Sequence, residues 1–366
     1  MKRTIAALLS ATLLLSTFAG CSGAATTSSA ATAASGAAST AATDGAASTA
    51  QVKSGVLNAG VTIYKFDDTF MSGARNAISA AAQGGNVKVD IVDSQGDSSI
   101  QSNKVDTFIA KNVNALAVNP PSPTDAPAII DKVKAKNIPI VFFNNKLEDK
   151  DMQKWDQVYY VGAKAEESGI MQGDIMAKYW KAHPEADKNK DGKMDYVMIT
   201  GLLGTYDVNM RTKYSIDEVT KAGIQTNCIA SATAGWDRAK AQDQMASIIS
   251  SKGDKIEAVF SNNDDMALGA IEALKAAGYF KGAKYIPVVG VDATAAGCKA
   301  IKDGTLLGSA FNNPKALGEA TYKVLSVIAN GNKPTKDNTG FDVTDGRYIW
   351  LGYKAITKDN VADAQQ

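Results

Sequence analysis

From about residue 57 to about residue 329, short apolar runs alternate with Ala-rich, helix-favouring stretches without interruption. The spacing predicts strands over 61–64, 87–92, 115–119, 138–143, 159–161, 196–200, 225–229, 258–260 and 287–291. Between them it predicts helices over 72–82, 98–111, 126–136, 166–180, 208–222, 238–250 and 266–277, one ending at 302, and one over 314–329. Strand–helix alternation of this kind forces parallel sheets with crossover helices. The apolar runs carry no polar alternation, as expected of strands covered on both faces. Roughly 310 residues follow the N-terminal segment, more than one core usually holds, so the α/β body divides into two lobes.

The first residues fix the compartment. Lys2 and Arg3 precede an apolar stretch over 5–18 that is too short for a stable membrane span. It ends in Phe18-Ala19-Gly20-Cys21. Small residues before a Cys resemble a bacterial lipobox, which makes residues 1–20 a signal peptide and Cys21 the lipidated N-terminus. The other reading is ordinary secretion with cleavage after a small residue. Residues 22–51 are almost wholly Ala, Ser, Thr and Gly, a composition that buries no core. Residues 21–54 therefore read as a lipid anchor and tether holding a soluble body at the outer face of the membrane.

Composition removes several function classes. Lys and Arg total 39 against 38 for Asp and Glu, a net charge of +1, so there is no basic field for nucleic acid. The single histidine, His183, lies at the polar end of a predicted helix, which argues against a Ser–His or Cys–His hydrolase and against a multi-histidine zinc site. Cys228 and Cys298 fall in separate predicted elements and are expected to be free and buried.

The stretch 61–71, VTIYKFDDTFM, places two carboxylates and two aromatic rings where a strand gives way to a helix. Ligands of open α/β sheets bind beyond the carboxyl ends of the strands. A carboxylate accepts from paired hydroxyls while a ring covers an apolar C–H face, so Asp68 and Phe70 suit a sugar. The plainer alternative makes Asp68 a helix cap and Phe70 core. Asn144, Asp207, Arg211, Asn263, Asp292 and Asn312 also fall at or just past predicted strand ends, and Trp236 opens a helix. Hydrogen-bonding groups repeated at one structural place describe a cleft for a polyhydroxylated ligand. No nucleophile–base pair stands out, although paired carboxylates keep glycoside hydrolysis open.

Residues 187–195, DKNKDGKMD, match the opening of an EF-hand loop. Asp187, Asn189, Asp191, the Lys193 carbonyl and Asp195 supply oxygen donors at alternate positions, and Gly192 permits the bend. Position twelve is Met198, in a predicted strand, so the last carboxylate must arrive from elsewhere. Glu257, at the start of a strand, is the candidate donor for calcium.

Together with VFFNNK (141–146), YYVGAKAEESGIMQGDIMAKYW (159–180), IEAVFSNNDDMALGAIEALKA (256–276) and IPVVGVDA (286–293), these stretches resemble the periplasmic galactose/glucose-binding proteins of sugar ABC transport. The resemblance covers nearly all of the chain beyond about Leu57. It implies a type I periplasmic-binding fold, two doubly wound parallel-sheet lobes joined by three crossover strands. The N-terminal lobe would comprise 55–163 plus 312–346, and the C-terminal lobe 164–311 plus 347–366. It implies a monosaccharide, D-galactose or D-glucose, between the lobes, held by Asp68, Phe70, Asn144, Asp207, Arg211, Trp236, Asn263, Asp292 and Asn312, with Phe70 and Trp236 sandwiching the ring. It implies structural calcium on Asp187, Asn189, Asp191, Lys193, Asp195 and Glu257. An ABC permease is the implied partner, and chemoreceptor docking is a family property that no residue here signals. One position departs from the family: a cleft His is replaced by Thr205, and the expectation is that Tyr206 fills the gap. A ribose-binding relative is the closest rival reading. A transcription repressor would need an N-terminal basic helix-turn-helix, where this chain carries a signal and a tether.

Overall fold

The computed structural model describes residues 55–282 and 284–364. The signal peptide, Cys21 and tether expected over 1–54 lie outside the described residues.

The first half of the chain runs β1 (Leu57–Ile63), α1 (Thr69–Gln83), β2 (Val87–Asp93), α2 (Ser98–Ala110), β3 (Ala115–Val118), α3 (Ala126–Lys134), β4 (Ile140–Phe143), α4 (Asp149–Met152) and β5 (Val158–Ala163). The second runs α5 (Ala165–Ala182), β6 (Lys193–Thr200), α6 (Tyr206–Lys221), β7 (Gln225–Thr233), α7 (Arg238–Lys252), β8 (Ala258–Ser261), α8 (Asp264–Ala276), β9 (Val288–Asp292), α9 (Ala295–Lys302) and β10 (Gly308–Phe311). The chain then returns through α10 (Pro314–Ala329), α11 (Lys336–Thr339) and β11 (Tyr348–Leu351), and closes with β12 (Lys354–Ile356).

Two six-stranded sheets result, ordered β11-β5-β4-β3-β1-β2 and β12-β10-β9-β8-β6-β7. Every pairing is parallel except β10 with β12. Each sheet lies between two apolar layers. In the first, Met71, Ile78 and Leu325 pack on one face and Phe108, Ile130 and Phe142 on the other. In the second, Met245, Met266 and Leu274 oppose Met176, Met194 and Phe260. Burial on both faces explains the unbroken apolar runs of the central strands.

The chain passes between the sheets three times: after β5, between β10 and α10, and between β11 and β12. The last passage corrects the expected lobe boundary at 347. Tyr348–Leu351 pairs in parallel with Tyr160–Ala163 and so belongs to the first sheet. Strands β10, β11 and β12, three or four residues long, are additional to the strands expected from the sequence. Strand β7 is longer than expected because, at a sheet edge, it mixes half-buried and exposed positions. Cys228 lies on that edge and is exposed, contrary to expectation, whereas Cys298 is buried in α9; neither forms a disulfide.

Candidate functional site

The order of each sheet reverses beside its first strand, between β1 and β3 in one lobe and between β6 and β8 in the other. Loops leaving neighbouring strands diverge at such a point and open a crevice. The crevices of the two lobes form one cavity of about 390 Å³ of non-protein space counted out to its mouth. Asp68, Phe70, Asn144, Asp207, Arg211, Trp236, Asn263, Asp292 and Asn312 all line it, joined by Tyr64, Met71 and Asn145.

Local chemistry places each group. Asp68 is the N-cap of α1: its Oδ1 accepts from the Met71 N–H at 2.8 Å, and its Oδ2 accepts from the Tyr64 hydroxyl. It is thus both the cap of α1 and part of the cavity lining. Asn263 does the same for α8, accepting from the Met266 N–H at 3.0 Å. Asn144, Trp236 and Asp292 adopt positive φ values of 64°, 71° and 106°. Side chains rarely accept such backbone conformations, and strain of this kind gathers at ligand sites. Trp236 lies flat over Gly201, where a Cβ would come within 2.3 Å of the indole.

Arg211 anchors the second-lobe wall. It is 5% exposed, and its Nη1 donates to the Asn262 carbonyl at 2.7 Å. Its Nη2 donates to Asp207, one helical turn earlier, at 3.2 Å and to the Tyr353 hydroxyl at 3.4 Å. Its Nε is buried and donates to no described residue. Tyr353 sits in the passage between β11 and β12, and the sequence reading missed it because those strands were not legible. Tyr64, the end of a predicted strand, lies just past Ile63 and lines the cavity.

Burial raises the carboxyls of Asp68, Asp207 and Asp292, that of Asp292 well above the ordinary range, against the pull of Arg211 on the latter two. Burial disfavours the Arg211 charge, but Tyr353, Asp207 and Asp292 outweigh it and hold the guanidinium charged. The cavity thus presents carboxylate acceptors, amide and guanidinium donors and three aromatic rings at fixed positions.

One expectation beside the cavity fails. The Thr205 hydroxyl turns back onto the Leu202 carbonyl at 2.9 Å. The Tyr206 hydroxyl donates to Glu166, and its ring faces Lys146 at 5.1 Å in a separate groove with Lys164 and Trp350. Tyr206 therefore does not fill the place of the family's His: at the first turn of α6 it points away from the side that carries Asp207 and Arg211.

The loop over 187–195 bends at Lys190 and Gly192, with φ of 59° and 77°. Asn189 Oδ1 and Asp191 Oδ1 each accept from a backbone N–H two residues on, at 2.8 Å. Glu257 reaches in from the start of β8, accepting from Lys188 N–H at 2.7 Å and Asp195 N–H at 2.9 Å. Each carboxylate is held by N–H donors, and among the described residues no three His, Cys, Asp or Glu side chains converge as a metal cluster. Asp187 Oδ1, however, is buried and accepts from nothing described. A buried acceptor left unmet is costly. The donor set, all oxygen and mostly anionic, is of the kind a hard cation takes.

No Ser, Cys or His lines the cavity among the described residues, so nothing there is paired for nucleophilic attack. Two lobes of repeated parallel topology closing on a polar cavity define a class of binding proteins for small solutes, not of enzymes. Within that class the chain belongs to the periplasmic binding protein family: residues 59–333 match the family described as "Periplasmic binding protein domain". It is 43% identical over 306 residues to the D-galactose/methyl-galactoside binding periplasmic protein MglB of Haemophilus influenzae, covering 83% of this chain and 90% of that one. It is 31% identical over 303 residues to the xylitol-binding protein of Mycolicibacterium smegmatis, covering 82% and 77%. Among solved structures, an ABC transporter solute binding protein from Bacillus halodurans with bound myo-inositol superposes with a TM-score of 0.72 at 30% identity, over 85% of this chain and 97% of that one.

Proposed function

We propose that the protein captures a hexose, D-galactose or D-glucose, and delivers it to the permease of an ABC importer. The observation that carries this reading is the convergence of three carboxylates, one guanidinium, four amides and three aromatic rings on a single cavity between the lobes. A pyranose has hydroxyls around its rim and apolar C–H faces above and below. Phe70 and Trp236 cover the faces, Asp68, Asp207 and Asp292 accept from hydroxyls, and Arg211 and the amides donate. The relationship to a galactoside-binding protein supports the hexose over a ribose. Trp236 supplies the test: D-galactose or D-glucose should change the tryptophan emission saturably, and the change should vanish in Trp236→Phe. Emission that no hexose alters, with binding equally absent by dialysis, would reject the reading.

Calcium belongs to the same proposal. Asp187, Asn189, Asp191, the Lys193 carbonyl, Asp195 and Glu257 would hold it, and the unmet Asp187 oxygen supports the fit. The ion would neutralise the cluster of carboxylates and brace the loop; it takes no part in holding the sugar. The lipid anchor at Cys21 completes the reading, placing the protein at the outer face of the membrane. The lipobox-like FAGC motif supports it.

A further inference from the structure

Behind the cavity wall lies a carboxylate that does not line it. Asp264 is the first residue of α8, next to the cap Asn263, and is 0% exposed. Its Oδ2 accepts from the Thr294 N–H at 2.8 Å and its Oδ1 from the Ser309 hydroxyl at 2.7 Å. Ser309 Oγ in turn accepts from the Ala293 N–H at 2.9 Å. The carboxylate and the serine together grip the two successive peptide N–H groups that follow Asp292.

That grip falls on a backbone that side chains resist. Asp292 has φ of 106° and Ala293 φ of 47°, two adjacent residues without glycine's freedom. Such conformations persist only where the surroundings over-determine them. The protein has made room for the gripping group: a Cβ on Gly290 would come within 2.3 Å of Asp264 Oδ1, and one on Gly297 within 2.1 Å of Oδ2. Three elements therefore meet on one buried carboxylate. α8 supplies it, β10 supplies the relay through Ser309, and the turn between β9 and α9 donates both N–H hydrogen bonds.

We propose that Asp264 is a positioning residue that, with Ser309, holds the Asp292–Ala293 turn in its strained form and so aims the Asp292 carboxylate into the cavity. That Asp292 then touches the ligand rests on the hexose reading; the hold on the turn does not. Burial of Asp264 among these donors leaves it no contact with the cavity, so any effect on binding travels through the turn.

Amide hydrogen exchange on the ligand-free protein, with D-galactose affinity measured in parallel, tests this. Asp264→Ala should speed exchange at Ala293 and Thr294 by tenfold or more and weaken galactose binding by roughly tenfold or more, with Asp264→Asn recovering much of both. Ser309→Ala should speed exchange at Ala293 alone, and it decides the matter if Asp264→Ala fails to fold. In an Asp292→Asn background, Asp264→Ala should add little further loss, because residues acting through one another are not additive. Unchanged exchange at both amides, or affinity losses that add in full, would overturn the proposal. If the wild-type protein bound no hexose, the hexose reading would fail while the exchange data still decided the hold on the turn.

Discussion

Arg211 ties three parts of the chain together at the cavity wall. It bridges the end of β8, through the Asn262 carbonyl, to Asp207 on its own helix and to Tyr353 in the last passage between the lobes. Removing one member of a buried, hydrogen-bonded charge pair costs about 2–5 kcal/mol, much of it from the partner left behind. Arg211→Ala is therefore expected to weaken hexose binding by at least roughly thirtyfold, read by calorimetric titration, and to raise the Asp207 and Asp292 carboxyls further by removing the guanidinium that lowers them. A second residue-scale consequence concerns pH. Burial pushes the Asp264 carboxyl up to about 7, with the Ser309 and Thr294 donors pulling the other way. An unfolded chain holds this proton less tightly, at ~3.9. The stabilising contribution is therefore fully present below about pH 4 and is lost as pH rises through about 7. Scanning calorimetry should show the wild-type melting temperature falling relative to Asp264→Asn between pH 5 and 8; a constant difference would contradict the assignment. Asp68, Asn144, Asn263 and Asp292 were legible in the sequence because each is a polar residue at or just past a strand end, a place with its own signature. Tyr353 was not, since its role depends on a passage between lobes that no local pattern marks. Asp264 was not either, because a buried acid at the start of a helix reads simply as first-turn chemistry.

At the scale of elements, the central strands and the long helices could be read from their apolar spacing because both faces of each sheet are covered. β10, β11 and β12 could not. β11 and β12 lie outside the strand–helix repeat, and β11 is placed by a partner far away in sequence: it pairs with β5, nearly two hundred residues earlier. The same limit moved the lobe boundary. The loop over 187–195 is the opposite case, a local motif whose pattern was visible and whose distant member, Glu257, follows from the need for one more carboxylate. Its consequence is a linkage prediction. An ion at one hundred times its dissociation constant stabilises the fold by about 2.7 kcal/mol. Chelation with EDTA should therefore lower the melting temperature by several degrees, at roughly 2–4 °C per kcal/mol. Asp187→Ala should abolish that response. A melting temperature indifferent to EDTA and to added calcium would remove the ion from the account.

The whole molecule repeats one design. Both sheets use the same strand order, and the final stretch of chain supplies the last strand to each, β11 to the first and β12 to the second. Because the cavity is shared between lobes connected by only three passages, closing it is a movement of one sheet-and-helix body against the other. A ligand that contacts both walls selects the closed form by its differential affinity for it. On the proposed reading, water around the sugar would be exchanged for fixed hydrogen bonds and ring faces, and neither wall alone offers the full set: Asp68, Phe70 and Asn144 come from one lobe and Asp207, Arg211 and Trp236 from the other. Calorimetric titration of the protein with D-galactose, D-glucose and D-ribose tests this most directly. The account predicts one-to-one, saturable binding of a hexose, with ribose at least tenfold weaker because a pentose lacks the C6 hydroxymethyl group and leaves part of the donor and acceptor set unmet. Saturable binding of ribose with no heat from either hexose would contradict it.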